Sequence, residues 1–252
     1  MAPYTASKTG NSHHKRWVKS SHWIITVSFF VLLVTGIEMT MVHPRFYWGE
    51  VGNDLTPALF QLPVSRNYEH GGWDESVPFF DEAGSPVSAS RTFDIFNQNG
   101  WGRSLHFLGG WFLVIAGLVY LFAGIFTGHF RRNLVPGAKE FSLKLYMRDV
   151  ISHLRMQIPL ATDGPNYGLL QKSTYLMVIF FLMPLMVMTG LTMSPAITAA
   201  YPFLLTIFFG AQSARTIHFI ASAALSLFLI IHLVMVIKSG FKKQIRGMTI
   251  GK

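Results

Sequence analysis

The chain has 252 residues, of which 50% are hydrophobic and 13% are charged, whereas soluble domains have about a quarter charged residues. Its net charge of +9 would also suit a nucleic-acid-binding protein, but the charges lie in short segments between long apolar runs, which excludes that class. The chain contains no cysteine. A Cys-ligated iron–sulfur cluster, a CxxCH haem attachment and a disulfide framework are therefore excluded.

Four apolar stretches are long enough to cross a bilayer, whose hydrocarbon core of about 30 Å needs roughly 20 helical residues. In chain order they cover residues 23–42, 105–126, 173–193 and 217–237. The first stretch follows Lys15, Arg16 and Lys19, as the apolar part of a signal peptide would. It is too long for one, however, and no small-residue cleavage site follows. We therefore predict an all-α integral membrane four-helix bundle, with residues 1–252 forming a single membrane domain.

The distribution of charge predicts that both termini are cytoplasmic. The N-terminal segment, residues 131–172 and the C-terminal tail are rich in Lys and Arg, which the positive-inside rule assigns to the cytoplasm. The segment 43–103 carries eight of the twelve acidic residues, namely Glu50, Asp54, Glu69, Asp74, Glu75, Asp81, Glu82 and Asp94. This segment is therefore predicted to be a periplasmic loop between the first two spans.

The loop 43–103 is too long for a simple connector, and aromatic residues are scattered along it. A flap lying on the membrane is one interpretation. We favour a docking platform for an outer partner, because aromatic residues are enriched at protein interfaces. On the cytoplasmic side, residues 138–156 have an amphipathic pattern that predicts a helix in the inner membrane interface.

Four histidines fall in or at the apolar spans, at positions His22, His106, His218 and His232. Ionisable side chains in membrane helices are costly and usually functional. His218 and His232 are fourteen residues apart, about 40° short of four helical turns, so they share one face and differ in height by roughly 21 Å. That separation suits two stacked haems, one in each leaflet.

The predicted topology sorts these histidines into two pairs. His22, at the start of the first span, and His232, near the end of the fourth, belong to the inner side. His106 and His218 each begin a span that starts on the outer side. Each pair can supply two axial imidazoles to one haem iron. The sequence therefore predicts two non-covalent haem b groups, an inner one and an outer one.

Glycines in the first two spans are candidate haem contacts, because a flat macrocycle needs close helix approach. Gly36 lies fourteen residues after His22, at the depth of the outer haem. Gly124 lies eighteen residues after His106, at the depth of the inner haem. Gly110, also in the second span, is a third candidate for such a contact. Ordinary helix packing by small residues explains any one of these glycines equally well.

Three basic residues, Lys19, Arg103 and Arg215, each stand three positions before one of the histidines. All three are candidate partners for haem propionates, although the positive-inside rule alone accounts for Lys19. Glu38, near the outer end of the first span, is an alternative partner for either arginine.

The pattern resembles the bacterial cytochrome b561-type membrane subunits of formate dehydrogenase, nickel–iron hydrogenase and thiosulfate reductase. The matching segments are His22-Trp23, Thr35-Gly36, Leu105-His106-Phe107, His218 and His232. The stretch from Asn99 to His106, Asn-Gly-Trp-Gly-Arg-Ser-Leu-His, is most similar to the thiosulfate-reductase-like subunits.

This resemblance implies an electron-transfer subunit in the bacterial inner membrane. It implies a periplasmic oxidoreductase partner, often molybdopterin-dependent, and a quinone or quinol that exchanges electrons near the inner haem. On that analogy, the quinone site lies near His22 and His232, with Arg16, Trp17 and Trp23 as candidate wall residues.

Three other functions are compatible with parts of this pattern. A haem-free proton-conducting transporter would need polar residues linking the two depths, and the spans offer only Ser28, Thr35, Ser222 and Ser226. A haem-free membrane anchor gives no reason for two histidines in each leaflet. A ferric or superoxide-type reductase usually has a nucleotide-binding domain, for which the short tail leaves no room.

Overall fold

The computed structural model describes residues 15–53, 56–64, 99–136, 142–154 and 168–249. Within these ranges the chain is mostly helical, and four helical segments are long and apolar enough to cross a membrane. They run over Arg16–Val42, Gly100–Phe126, Leu169–Thr192 and Ala211–Lys238. The predicted all-α, four-span architecture is confirmed, while the side of the membrane on which each terminus lies remains a prediction.

The described residues form two short strands and a series of helices along the chain. They are α1 (Arg16–Val42), β1 (Arg45–Phe46), β2 (Phe60–Gln61), α2 (Asn99–Phe126), α3 (His129–Asn133), α4 (Leu143–Leu154), α5 (Leu169–Met177), a π-helical turn (Val178–Leu182), α6 (Met183–Thr192), α7 (Pro195–Ala200), α8 (Phe203–Ile207), α9 (Ala211–Lys238) and α10 (Phe241–Met248). The helix α4 covers the middle of the amphipathic segment predicted at 138–156. Most of the predicted docking platform, residues 65–98, lies outside the described residues.

The middle of α1 buries small polar side chains and exposes aliphatic ones. Ser21, Ser28 and Thr35 recur every seven residues and are buried, whereas Val27 and Val34 are exposed. In a membrane this pattern is expected, because lipid solvates aliphatic side chains while small polar residues allow helices to approach closely.

The third span is not a regular α-helix. Its π-helical turn separates α5 from α6, and Pro184 lies in the first turn of α6. Proline lacks the N–H that the helical ladder needs, and its ring clashes with the carbonyl one turn earlier. A widened turn accommodates this defect. It also changes which later residues of the span face a given direction.

Contacts divide the chain into two compact units. The first contains residues 1–22, 118–181 and 226–252, and the second contains residues 23–117 and 182–225. His22 and His232 belong to the first unit, and His106 and His218 belong to the second.

In the second unit, the segment after α1 caps the N-terminus of α9. The carbonyl of Gly49 accepts hydrogen bonds from the N–H groups of Gln212 and Ser213 at 3.1 and 3.2 Å, and a carboxylate oxygen of Glu50 accepts one from Ala211 at 3.1 Å. These bonds satisfy N–H groups that a helix start leaves without intrahelical partners. Gly210 has a left-handed backbone, and a Cβ there would collide with the backbone of Gly49.

In the first unit, α4 supplies a cap for α5. A carboxylate oxygen of Asp149 accepts a hydrogen bond from the N–H of Leu170 at 2.9 Å, in the first turn of α5. A carboxylate at a helix N-terminus also interacts favourably with the helix dipole. The start of the third span is thereby tied to the amphipathic helix that precedes it.

Candidate functional site

His106 of α2 and His218 of α9 lie opposite each other in the second unit. Their ring centroids are 6.3 Å apart, and the ring planes are inclined by 60°. Two imidazoles that bind one metal ion from opposite sides have ring centres about 6 Å apart, because each metal–nitrogen bond is about 2 Å long. The spacing of this pair fits two axial ligands of one iron.

A threonine hydroxyl holds each of these two imidazoles. Thr35 Oγ1 lies 2.8 Å from Nδ1 of His106, and Thr189 Oγ1 lies 2.9 Å from Nδ1 of His218. Each hydroxyl also donates a 2.7 Å hydrogen bond to the backbone carbonyl four residues earlier in its own helix. Both threonines are therefore bound to their own helix and to the ring of a neighbouring one.

These contacts fit one tautomer of both rings. A hydroxyl has one proton, and where that proton is donated to the backbone carbonyl, the hydroxyl oxygen accepts from an Nδ1–H. A neutral imidazole with its proton on Nδ1 has its free lone pair on Nε2. In this tautomer His106 and His218 both offer Nε2 as a metal ligand.

The residue after each threonine is a glycine that lies beside the same ring. A Cβ on Gly36 would lie 3.6 Å from Cε1 of His106, and a Cβ on Gly190 would lie 3.5 Å from Cε1 of His218. The same Thr-Gly dipeptide therefore supports both histidines, from α1 and from α6. Gly36 thus lies beside a predicted haem ligand, and its contact with a haem remains a prediction.

Thr189 and Gly190 were missed by reasoning from the sequence. The third span contains no histidine, so its residues were assigned to ordinary core packing. The repetition of a Thr-Gly dipeptide in the first and third spans was the signal that could have identified them.

The second predicted pair, His22 and His232, lies within the first unit. Both side chains are half-buried, and the ring of His232 stacks on Phe228 with centroids 5.8 Å apart. The structure assigns both histidines to one unit, as a shared haem requires. Their ligation of a common iron remains a prediction.

Arg215 has partners that the sequence did not suggest. Its guanidinium donates to the backbone carbonyl of Arg45 at 2.9 Å and to that of His43, and it lies 4.8 Å from the ring centroid of Phe46. These contacts attach the segment after α1 to α9. The predicted propionate partner thus has a structural role within the protein.

The other two basic candidates differ from each other in exposure. Arg103 is exposed and lies 5.6 Å from the ring centroid of Phe107, and Lys19 is half-buried. Arg103 is therefore more accessible than Arg215, which is half-buried. Their pairing with propionates remains a prediction.

The two glycines predicted as haem contacts in α2 have different surroundings. A Cβ placed on Gly110 would have no described atom within 4 Å, apart from its chain neighbours and the nearby backbone of its own helix. In front of Gly124, by contrast, the ring of Phe130 occupies the space that a Cβ would need. Gly124 therefore serves aromatic packing, whereas Gly110 keeps the open face that a haem contact requires.

An aromatic cluster surrounds Trp17, one of the residues predicted to line a quinone site. Its ring centroid lies 5.4 Å from that of His129 and 5.6 Å from that of Tyr120. The Nε1 atom of Trp17 is buried and has no hydrogen-bond partner among the described residues. Trp17 thus has a donor available within an apolar, aromatic environment.

Comparison with known proteins extends over nearly the whole chain. A family model described as prokaryotic cytochrome b561 matches residues 13–251. The putative protein-methionine-sulfoxide reductase subunit YedZ1 of Azospira oryzae is 26% identical over 223 residues, which cover 88% of this chain and 89% of that protein. No solved structure matches the chain. The family match includes all four histidines and all four spans.

Proposed function

Since this chain belongs to the prokaryotic cytochrome b561 family, we propose that it is a di-haem cytochrome that carries electrons between membrane quinone and a periplasmic oxidoreductase. Family membership makes it a multi-pass inner-membrane cytochrome that binds haem b and transfers electrons. The proposal adds the number of haems, their ligands, the quinone and the partner.

The arrangement of His106 and His218 carries the proposal. Their 6.3 Å centroid separation suits one iron between two rings, and both rings offer Nε2 because a threonine accepts from each Nδ1–H. A structural role would require neither this spacing nor this matched tautomer. The site therefore fits haem b held by two neutral imidazoles, which supplies a one-electron redox centre when bound.

The second haem is proposed to bind to His22 and His232. The two histidines share the first unit, and each is half-buried. A side chain in such a position is partly shielded by the protein and still presents a surface to a large ligand.

The quinone site is proposed to adjoin this second haem, beside Trp17. An indole N–H buried without a protein partner costs free energy, and a quinone carbonyl would accept a hydrogen bond from it. The rings of Tyr120 and His129 pack against Trp17 and would shield a quinone headgroup from water. Trp23, another predicted wall residue, is 36% exposed.

The electron-transfer partner is proposed to be a periplasmic oxidoreductase of the molybdopterin-dependent type. This follows the resemblance to membrane subunits that serve such enzymes. The name of the Azospira oryzae relative, a putative protein-methionine-sulfoxide reductase subunit, makes the reduction of methionine sulfoxide a candidate reaction for the partner.

Haem stoichiometry and the optical spectrum test the proposal directly. We expect a b-type α-band in the dithionite-reduced minus oxidised spectrum, and a pyridine haemochrome assay should give close to two haems per chain. His106→Ala or His218→Ala should remove one haem, and His22→Ala or His232→Ala should remove the other. His43→Ala is the control, because His43 is an exposed histidine just after α1 whose side chain is not proposed to bind haem or quinone.

The outcomes separate the proposal from its competitors. Absence of haem in protein made by a haem-sufficient host would overturn it and favour a proton path or an anchor. Loss of the same haem in His106→Ala and in His22→Ala variants would overturn the pairing. Reduction of the purified cytochrome by a quinol such as duroquinol is expected, and failure to reduce it would exclude quinone as the electron donor.

A further inference from the structure

We propose that Thr35 and Thr189 are positioning residues that set the redox potential of the haem held by His106 and His218. Each threonine would do so by fixing one imidazole in the tautomer that offers Nε2 and by increasing the electron density of that ring. The inference rests on the proposed function, because it assumes that these two histidines hold a haem.

Each of the two threonines contacts one backbone carbonyl and one imidazole nitrogen. Each Oγ1 donates to a carbonyl of its own helix at 2.7 Å, and each lies 2.8 or 2.9 Å from an imidazole Nδ1, where its free lone pairs can accept an Nδ1–H. Both threonines are almost fully buried, with exposures of 1% and 0%. Water therefore has no access with which to replace either bond.

The hydrogen bond from the hydroxyl to a carbonyl of its own helix is not what distinguishes Thr35 and Thr189. Thr192, also in α6 and 2% exposed, donates to the carbonyl of Met188 at 2.8 Å. Threonines in membrane helices commonly make this local bond. Thr35 and Thr189 differ because each also binds a histidine distant in the chain, 71 and 29 residues away.

The effect on the haem follows from the direction of these bonds. An imidazole that donates its Nδ1–H to a hydrogen-bond acceptor becomes a more basic metal ligand at Nε2. A more basic ligand stabilises the higher charge of ferric iron more than that of ferrous iron. Both threonines therefore lower the midpoint potential of the same haem, and removal of either hydroxyl should raise it.

The test uses the purified full-length cytochrome with Thr35→Val and Thr189→Val, which replace a hydroxyl with a methyl group of similar size. Loss of an outer-shell partner typically weakens metal binding by about 10- to 100-fold. If the loss is tenfold larger for ferric than for ferrous haem, the potential rises by about 59 mV for a one-electron couple. Potentiometric titration should show this rise for one haem and no change for the other.

Two further variants separate the hydrogen bond from packing. Thr189→Ser keeps the hydroxyl and should retain the wild-type potential, and Thr192→Val removes a buried backbone-bonding hydroxyl without affecting a histidine. The low-spin ferric EPR signal of the affected haem should shift in the valine variants alone, because that signal reports the strength of the axial ligands.

Each outcome decides the inference. Valine variants with wild-type potentials and EPR signals would overturn it. If a valine variant loses the haem, retention of the haem by the serine variant at the wild-type potential would support the inference, and loss of the haem there would overturn it in favour of packing. If His106→Ala and His218→Ala leave the haem content of the wild-type protein unchanged, the proposed function fails instead.

Discussion

Arg215 provides the sharpest test of whether a basic residue serves the haem or the protein itself. The sequence predicts a propionate partner, and the structure shows the guanidinium bound to two backbone carbonyls and stacked on Phe46. Arg215→Met keeps most of the apolar stem and removes all the donors. The two carbonyls, of His43 and Arg45, would lose a charged partner.

The size of the effect can be derived from these contacts. A hydrogen bond to a charged group contributes about 1.5–3 kcal/mol, and a cation–π contact contributes about 0.5–2 kcal/mol. Losing both hydrogen bonds and the stacking should weaken the attachment of the segment 43–47 by about 3.5–8 kcal/mol. Since about 1.4 kcal/mol is a factor of ten in an equilibrium, local opening should become at least about 100-fold more frequent.

Hydrogen exchange measured by mass spectrometry in detergent reports this opening. The amides of Leu59 and Leu62 donate to the carbonyls of Phe46 and Pro44 at 2.7 and 3.0 Å, so peptides containing them should exchange faster in Arg215→Met. Their exchange should be unchanged in Arg103→Met, because Arg103 is exposed and contacts Phe107.

The result that would refute this reasoning is equally specific. Unchanged exchange in Arg215→Met, combined with loss of haem or a shifted haem potential, would restore Arg215 as a propionate partner. Arg215→Lys should give partial protection at most, because an ammonium lacks the planar fork that reaches two carbonyls at once.

Two further predictions concern packing between α2 and α3 and the helix cap at the start of the third span. Gly124→Ala should lower the melting temperature, because overpacking against the ring of Phe130 typically costs about 1–3 kcal/mol. Gly117→Ala is the control in the same helix, because a Cβ there would meet open space, and an equal loss in both variants would contradict this assignment. Asp149→Ala should destabilise the start of α5 by about 1 kcal/mol, as loss of a helix cap does. Faster exchange of the Leu170 amide would reveal this effect, and unaltered exchange would show that the 2.9 Å bond does not contribute.

Much of the membrane architecture was predictable from the sequence, because hydropathy is a local property. Twenty consecutive apolar residues have few alternatives to a spanning helix, since a bilayer cannot satisfy free backbone N–H and C=O groups. For the same reason the four histidines were recognisable, because a polar imidazole in an apolar run is costly. The family model over residues 13–251 agrees with the resemblance drawn from these positions.

The partners of the site residues were decided by tertiary structure. The Thr189 hydroxyl and the His218 ring meet because two different helices pack together, and the irregular turn before α6 removes the fixed 3.6-residue period on which sequence reasoning depends. Likewise, Arg215 binds carbonyls that lie 170 and 172 residues earlier in the chain.

The sequence by itself therefore determined where the chain crosses the membrane, and it singled out the four histidines that are proposed to hold haem. Hydropathy and the cost of burying imidazole act over a few helical turns, so they are visible in any local window of the sequence. Only the tertiary structure decided which hydroxyl orients which imidazole and which carbonyls hold Arg215. Such hydrogen bonds depend on ångström-scale distances between helices, which no periodicity within one helix encodes.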